Sequence, residues 1–187
     1  MLTGTALDGV LHTLAGSKTR PRAFSMVRAM PAQFWNDPLA KKKSRWPRAR
    51  YNDAHSAHVL YIGDDYETAA AETLVAIVPT WIVAFATVQC TLNAVLDLTD
   101  MAVWSALGTD AAELSFNFRS LPRGTPATAT QLLGEAAVKS GRFDGLLYES
   151  LARPGSQCVA VLLDNLGALG SNLAVHDLQQ GISETFP

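Results

Sequence analysis

Residues 58–90 read HVLYIGDDYETAAAETLVAIVPTWIVAFATVQC, and this stretch decides the fold class. His58 to Gly63 is a short apolar run with β-branched and aromatic residues, bounded by turn formers on both sides, and predicts a strand. Asp64, Asp65 and Glu67 then supply caps and favourable first-turn charge for a helix over Tyr66 to Val78. Pro79 cannot continue that helix. Thr80 to Cys90 alternates poorly but is rich in Ile, Val, Phe and Trp, which predicts a strand buried on both faces. A strand, a helix and a second strand in direct succession exclude an all-α or all-β chain.

Upstream, residues 1–22 carry a weak apolar pattern that fits a short helix or a loosely held arm, and Ala23 to Pro31 fits a first strand. Pro31 to Pro47, with Pro38 and a lysine run, predicts an exposed loop. Downstream, Val95 to Leu98 predicts a short separate strand, Asp100 to Leu107 a short helix, and Ser115 to Thr125 a loop. Thr130 to Ser140 places Leu132, Leu133, Ala136 and Ala137 on one helical face, and Gly141 ends it. Phe143 to Glu149 and Cys158 to Leu163 are two more strands around a turn containing Pro154 and Gly155. There is no internal repeat, low-complexity tract or linker. The expectation is therefore α+β: a single mixed domain over residues 1–187, with packed β-sheets and short helices.

With 187 residues, 48% hydrophobic and 17% charged, the chain suits one core and excludes disorder. The apolar run Leu74 to Val88 is shorter than the roughly 20 residues a membrane span needs, and Pro79 splits it. The first thirty residues lack a signal-peptide pattern, because Asp8 and His12 interrupt the only apolar candidate, so a cytoplasmic location is expected. Cys90 and Cys158 belong to no Cys-x-x-Cys pair; they fit either buried free thiols or a bridge. The net charge of −2 hides an asymmetry: residues 1–50 hold ten Lys or Arg against Asp8 and Asp37, and the remainder is acidic. Such a segment attracts anions, or complements the acidic body within the same fold. Lys41 to Arg50 contains one aromatic, Trp46, and no nucleic-acid module, so direct nucleic-acid binding is not expected.

Few residues stand out as chemistry. Glu72 is a lone carboxylate after three alanines; periodicity assigns it to the solvent face, and the small residues around it equally let a flat ligand approach. Arg50 offers a fixed fork of donors for phosphate or carboxylate, as does Arg28 on the presumed first strand. His12, His55, His58 and His176 lack metal-ligand spacing, and no Walker, nucleophile-elbow or glycine-rich phosphate loop is present, so no metal site is expected.

Taken in order, Arg28, Arg50-Tyr-Asn, Leu60-Tyr61, Ala69-Ala-Ala-Glu72 and the run from Phe143 to Ser150 (FDGLLYES) resemble the RES domain family, named for its arginine, glutamate and serine. The spacings from Arg50 to Tyr61 and to Glu72 fit, as does Thr130-Gln131 opening the helix before the run from Gly141 to Gly145. The resemblance implies a fold similar to ADP-ribosyltransferase toxins and an enzyme that consumes NAD by phosphorolysis or hydrolysis, with no cofactor beyond NAD as substrate. It also implies the toxin of a toxin–antitoxin pair, with an antitoxin protein covering the active site, and leaves a homo-oligomer open. Arg28 and Arg50 would hold the pyrophosphate, Tyr61 would contact the nicotinamide side, Glu72 would act at the nicotinamide ribose, and Ser150 would line the same cleft. Family members often carry a proline before the serine, where this chain has Glu149. Two other readings stay open: a protein ADP-ribosyltransferase using the same site, and a non-catalytic module whose basic N-terminal segment docks an acidic partner or nucleic acid.

Overall fold

The strand and helix expected at residues 58–78 are both present in the computed structural model, which describes residues 7–32, 49–52, 58–74, 83–116, 125–177 and 181–186. In chain order the elements are α1 (Leu7–Ala15), β1 (Arg20–Pro31), β2 (Val59–Gly63), α2 (Tyr66–Leu74), β3 (Val83–Asp97), α3 (Met101–Leu107) and α4 (Ala111–Leu114). There follow α5 (Ala129–Ser140), β4 (Gly145–Glu149), β5 (Gln157–Leu162), a 3-10 turn, α6 (Leu166–Leu169), β6 (Asn172–Asp177) and β7 (Ile182–Phe186). The architecture is α+β. Among the described residues no helix is long and apolar enough to cross a membrane.

Seven strands form one hydrogen-bonded network in the order β1-β2-β5-β4-β3-β6-β7, and β1 also pairs with β3. That extra pairing closes β1, β2, β5, β4 and β3 into a ring, with β6 and β7 continuing outward from β3. The β3–β4 pair is parallel and the others are antiparallel. Met26, Leu60, Val88, Leu147 and Val161 come from five different strands and meet in one core cluster, so opposite sides of the network face each other over apolar side chains. A second core lies between the network and the helices, where Val10, Leu14, Leu133, Phe143 and Leu146 pack together. The ring is weakest between β1 and β2, which share the single register pair Val27 and Gly63.

Local chemistry accounts for the helix ends. Asp100 caps α3 by accepting from the Ala102 N–H at 2.8 Å. Thr128 and Gln131 form a reciprocal capping box on α5, and Gly141 ends that helix at φ 64°, a conformation that costs other residues strain.

Several expectations are corrected. The strands expected at 80–90 and 95–98 are one strand, β3, and it is not buried on both faces: Gln89, Thr91 and Asn93 are exposed while Val88, Cys90 and Leu92 are buried. Thr91 and Asn93 read as a break because they form the wet side of an alternating strand. Its continuity there depends on the buried Asp144 carboxylate, which accepts from the Asn93 N–H at 2.7 Å and the Ala94 N–H at 3.1 Å. α4, α6, β6 and β7 were not anticipated and β1 begins at Arg20, while of the two options for residues 1–22 the short helix is present as α1. Phe143 and Asp144 precede β4 rather than belonging to it. The loop expected at 31–47 and the helical positions 75–78 lie almost wholly outside the described residues.

Candidate functional site

α2 carries Glu72, and two features set its position. Its start is capped by Asp65, whose Oδ1 accepts from the Thr68 N–H at 2.6 Å. Its body lies tight on β2: a Cβ at Gly63 would come within 2.9 Å of the Ala69 nitrogen. Near the far end, the Thr73 hydroxyl donates to the Ala29 carbonyl of β1 at 3.4 Å. The glutamate does not face open solvent. It is half-buried, and its Oε1 accepts from the Ser150 hydroxyl at 2.7 Å, the Leu151 N–H at 3.0 Å and the Ala152 N–H at 3.5 Å. Three donors on one oxygen fix the carboxylate's direction.

Ser150 follows β4 and is buried. Its N–H donates to the Ser156 carbonyl at 2.9 Å, and its hydroxyl oxygen accepts from the Arg153 N–H at 3.0 Å while donating to Glu72. The turn between β4 and β5 is further closed by the Gly155 N–H donating to the Glu149 carboxylate at 2.8 Å.

Arg50 supports this end of β4 from behind. It is 7% exposed, and its Nη1 donates to the Glu149 carbonyl at 3.1 Å while Nη2 donates to the Leu114 carbonyl at 2.5 Å. The guanidinium carbon lies 4.6 Å from the centre of the Tyr148 ring and 5.5 Å from that of Tyr51. The fork that the resemblance assigns to pyrophosphate is thus turned on two backbone carbonyls. The turn bearing Arg50 sits against α5, where the Gln131 side chain donates to the Ala49 carbonyl at 3.1 Å. Gly134 makes this approach sterically feasible, because a Cβ there would lie 1.9 Å from the Tyr51 carbonyl oxygen.

Tyr61 joins the same turn from β2. Its hydroxyl accepts from the Tyr51 N–H at 2.9 Å and donates to Asn52 Oδ1 at 2.8 Å. Arg28, on β1, reaches across the weak β1–β2 junction to the Tyr61 carbonyl, with Nη1 at 3.5 Å. All five residues singled out in the sequence therefore belong to one connected set: Arg28 to Tyr61, Tyr61 to the Arg50 turn, Arg50 to the residue before Ser150, and Ser150 to Glu72. Sequence reasoning missed Gly134, Tyr148 and Arg153. A lone glycine inside a helical pattern is a signal of close packing that could have found the first; the other two have no local signature.

Two buried phenols pack against the Arg50 guanidinium. Burial pushes the Tyr51 phenol up to about 12, against the opposing pull of Arg50, and holds Tyr148 well above its ordinary value. Burial also pushes Cys90 and Cys158 up to about 12; both are free, buried thiols, and neither supplies a thiolate near neutral pH. His58 pairs with Asp164 at 3.0 Å and His176 with the Ser183 hydroxyl at 3.2 Å. Among the described residues no three His, Cys, Asp or Glu side chains gather as a metal site. What the arrangement offers chemically is a rigidly aimed carboxylate beside a strand junction bridged by an arginine.

No curated protein matches the chain. The family model described as the RES domain matches residues 21–179, a span that contains Arg28, Arg50, Tyr61, Glu72 and Ser150, and the chain belongs to the RES domain family.

Proposed function

We propose that this protein consumes NAD by breaking the bond between nicotinamide and ribose, and that Glu72 is its catalytic carboxylate. The observation that carries the reading is the three-donor grip of Ser150, Leu151 and Ala152 on one Glu72 oxygen, in a chain whose family is consistent with a NAD-related, toxin-like domain.

As the C1′–N bond breaks, its electron pair leaves with nicotinamide, which departs neutral and needs no proton. Positive charge develops on C1′ and the ring oxygen, and a fixed carboxylate stabilises it. An oxygen of phosphate or of water then bonds to C1′; water gives up a proton to solvent, and the products are nicotinamide with a phosphorylated or free ADP-ribose. Arg28 provides positive charge for the pyrophosphate, Tyr61 borders the nicotinamide side, and Arg50 keeps Glu149 and Ser150 in place. Such an enzyme drains its own cell, so an inhibitory protein that places a carboxylate against Arg28 and blocks the phosphates completes the picture, as does action in the cytoplasm where NAD is abundant.

The test is to incubate the purified protein with NAD, with and without phosphate, and to follow nicotinamide release. Release is expected in at least one condition, and a phosphorylated ADP-ribose product identifies phosphorolysis. Glu72→Gln keeps the shape and loses the charge, so turnover should fall on the order of a hundredfold or more with the fold intact. Expression in bacteria should lower NAD and stop growth, and Glu72→Gln should relieve both. No release from the parent, or activity in Glu72→Gln within about twofold of it, overturns the proposal.

A further inference from the structure

The turn after β4 holds Glu72, and something must hold the turn. Its residues Ser150 to Ala152 are tied to α2 at Glu72, near that helix's C-terminal end. Arg153, the next residue, is tied to α2 at the opposite end. Its Nη1 lies 2.8 and 2.9 Å from the two oxygens of Asp65, and its Nη2 lies 2.7 Å from Glu67 Oε2. One residue earlier, Asp64 pairs with Gln157 through two bonds, its N–H donating to the Gln157 carbonyl at 3.0 Å and its Oδ2 accepting from the Gln157 N–H at 2.8 Å. The turn thus braces the helix along its length, and the Arg153 N–H also fixes the Ser150 hydroxyl that points at Glu72.

We infer that Arg153 is a positioning residue: by clamping Asp65 and Glu67 at the start of α2 it locks the Ser150 to Ala152 turn against the Glu72 carboxylate. The inference rests on the reading of Glu72 as the catalytic group, and it assigns a residue outside that machinery the task of aiming it. Exposure makes the claim discriminating. The Arg153 side chain is 39% exposed, with Asp65 at 47% and Glu67 at 78%, and exposed pairs of this kind add little to stability. Loss of the clamp should therefore be felt in geometry and turnover rather than in melting. Lysine keeps the charge but has no planar fork, so it cannot serve both oxygens of Asp65 and Glu67 together.

The experiment compares Arg153→Ala, Arg153→Lys, Asp65→Asn and the double variant Arg153→Ala with Asp65→Asn. Asparagine caps a helix as well as aspartate does, so Asp65→Asn removes charge and spares α2. Nicotinamide release, thermal melting and amide hydrogen exchange at Leu151 and Ala152 are measured on each. Arg153→Ala should lower kcat by about tenfold while KM for NAD stays within about twofold, as expected for a misaimed rather than a missing group. Melting should stay near the parent's, Arg153→Lys should fall between parent and alanine, and the double variant should be no worse than the worse single variant. The Leu151 and Ala152 amides should exchange faster in Arg153→Ala. Unchanged exchange, unchanged kcat, or independent losses in the double variant overturns the lock. A parent that releases no nicotinamide overturns the proposed function instead, and the exchange measurement still judges the clamp.

Discussion

Replacing Gly134 by alanine should damage the protein from a helix position that ordinarily welcomes alanine. In an unobstructed helix interior the change stabilises by about 1 kcal/mol. Here the new Cβ would stand 1.9 Å from the Tyr51 carbonyl oxygen, 2.6 Å from its carbonyl carbon and 2.9 Å from its Cα, all backbone atoms that cannot swing aside. Ordinary contact begins at 3.4 Å, so α5 and the turn at residues 49–52 must separate by about 1.5 Å. Arg50 belongs to that turn, and a displacement of that size, in whichever direction the turn yields, disturbs its 3.1 Å bond to the Glu149 carbonyl. Overpacking costs about 1–3 kcal/mol and a charged hydrogen bond about 1.5–3 kcal/mol. After the propensity gain is set against them, a net loss of about 1.5–5 kcal/mol is expected. Urea denaturation followed by the fluorescence of the four tryptophans measures it, with nicotinamide release as the parallel readout. A Gly134→Ala protein with a midpoint at or above the parent's refutes the reasoning that this glycine seats Arg50.

Arg50→Lys should destabilise the fold by about 2 kcal/mol, because one ammonium cannot serve both the Glu149 and Leu114 carbonyls in a buried site, and should slow nicotinamide release as Ser150 loosens; parent-like denaturation and activity would contradict the role of Arg50 in holding this end of β4. Cys90 and Cys158 should resist a disulfide reagent in native buffer near pH 8 and react fully in urea. Because their folded values are raised to about 12, the stability they contribute is complete below the ordinary thiol range and is lost as pH rises from there towards 12. A denaturation midpoint that stays flat across that alkaline window contradicts the burial assigned to these thiols.

Elements whose signals are local were legible. The strand at Val59–Gly63, the start of α2 beside Asp65, and the α5 stop at Gly141 each depend on residues within a few positions of one another. β3 was split because the exposed Thr91 and Asn93 interrupt its apolar run, and the distant Asp144 that accepts from the Asn93 and Ala94 amides leaves no local signal. β7, whose sequence is mostly polar, is specified by its pairing with β6 rather than by its own composition. The site divides in the same way. Periodicity placed Glu72 on the wet face of α2, and only the order of motifs linked it to Ser150; their bond spans 78 positions. The occupation of Arg50 by two carbonyls was beyond reach, since Leu114 and Glu149 lie 64 and 99 positions away.

The closed ring of strands sets the order in which this protein can come into being. β1 can pair with β3 early, but β2 has to wait for β5, and Asp64 meets Gln157 across 93 positions. At synthesis rates of about 5–20 residues per second, that is a lag of roughly 5–20 s on the ribosome. Throughout it, Glu72 exists without the hydroxyl and amides that aim it, and the ring has an open seam. A nascent or prematurely terminated chain that stops before the Ser150 turn carries the carboxylate but no finished site. The topology thus works as a timer, leaving Glu72 unaimed until the Ser150 turn has been made.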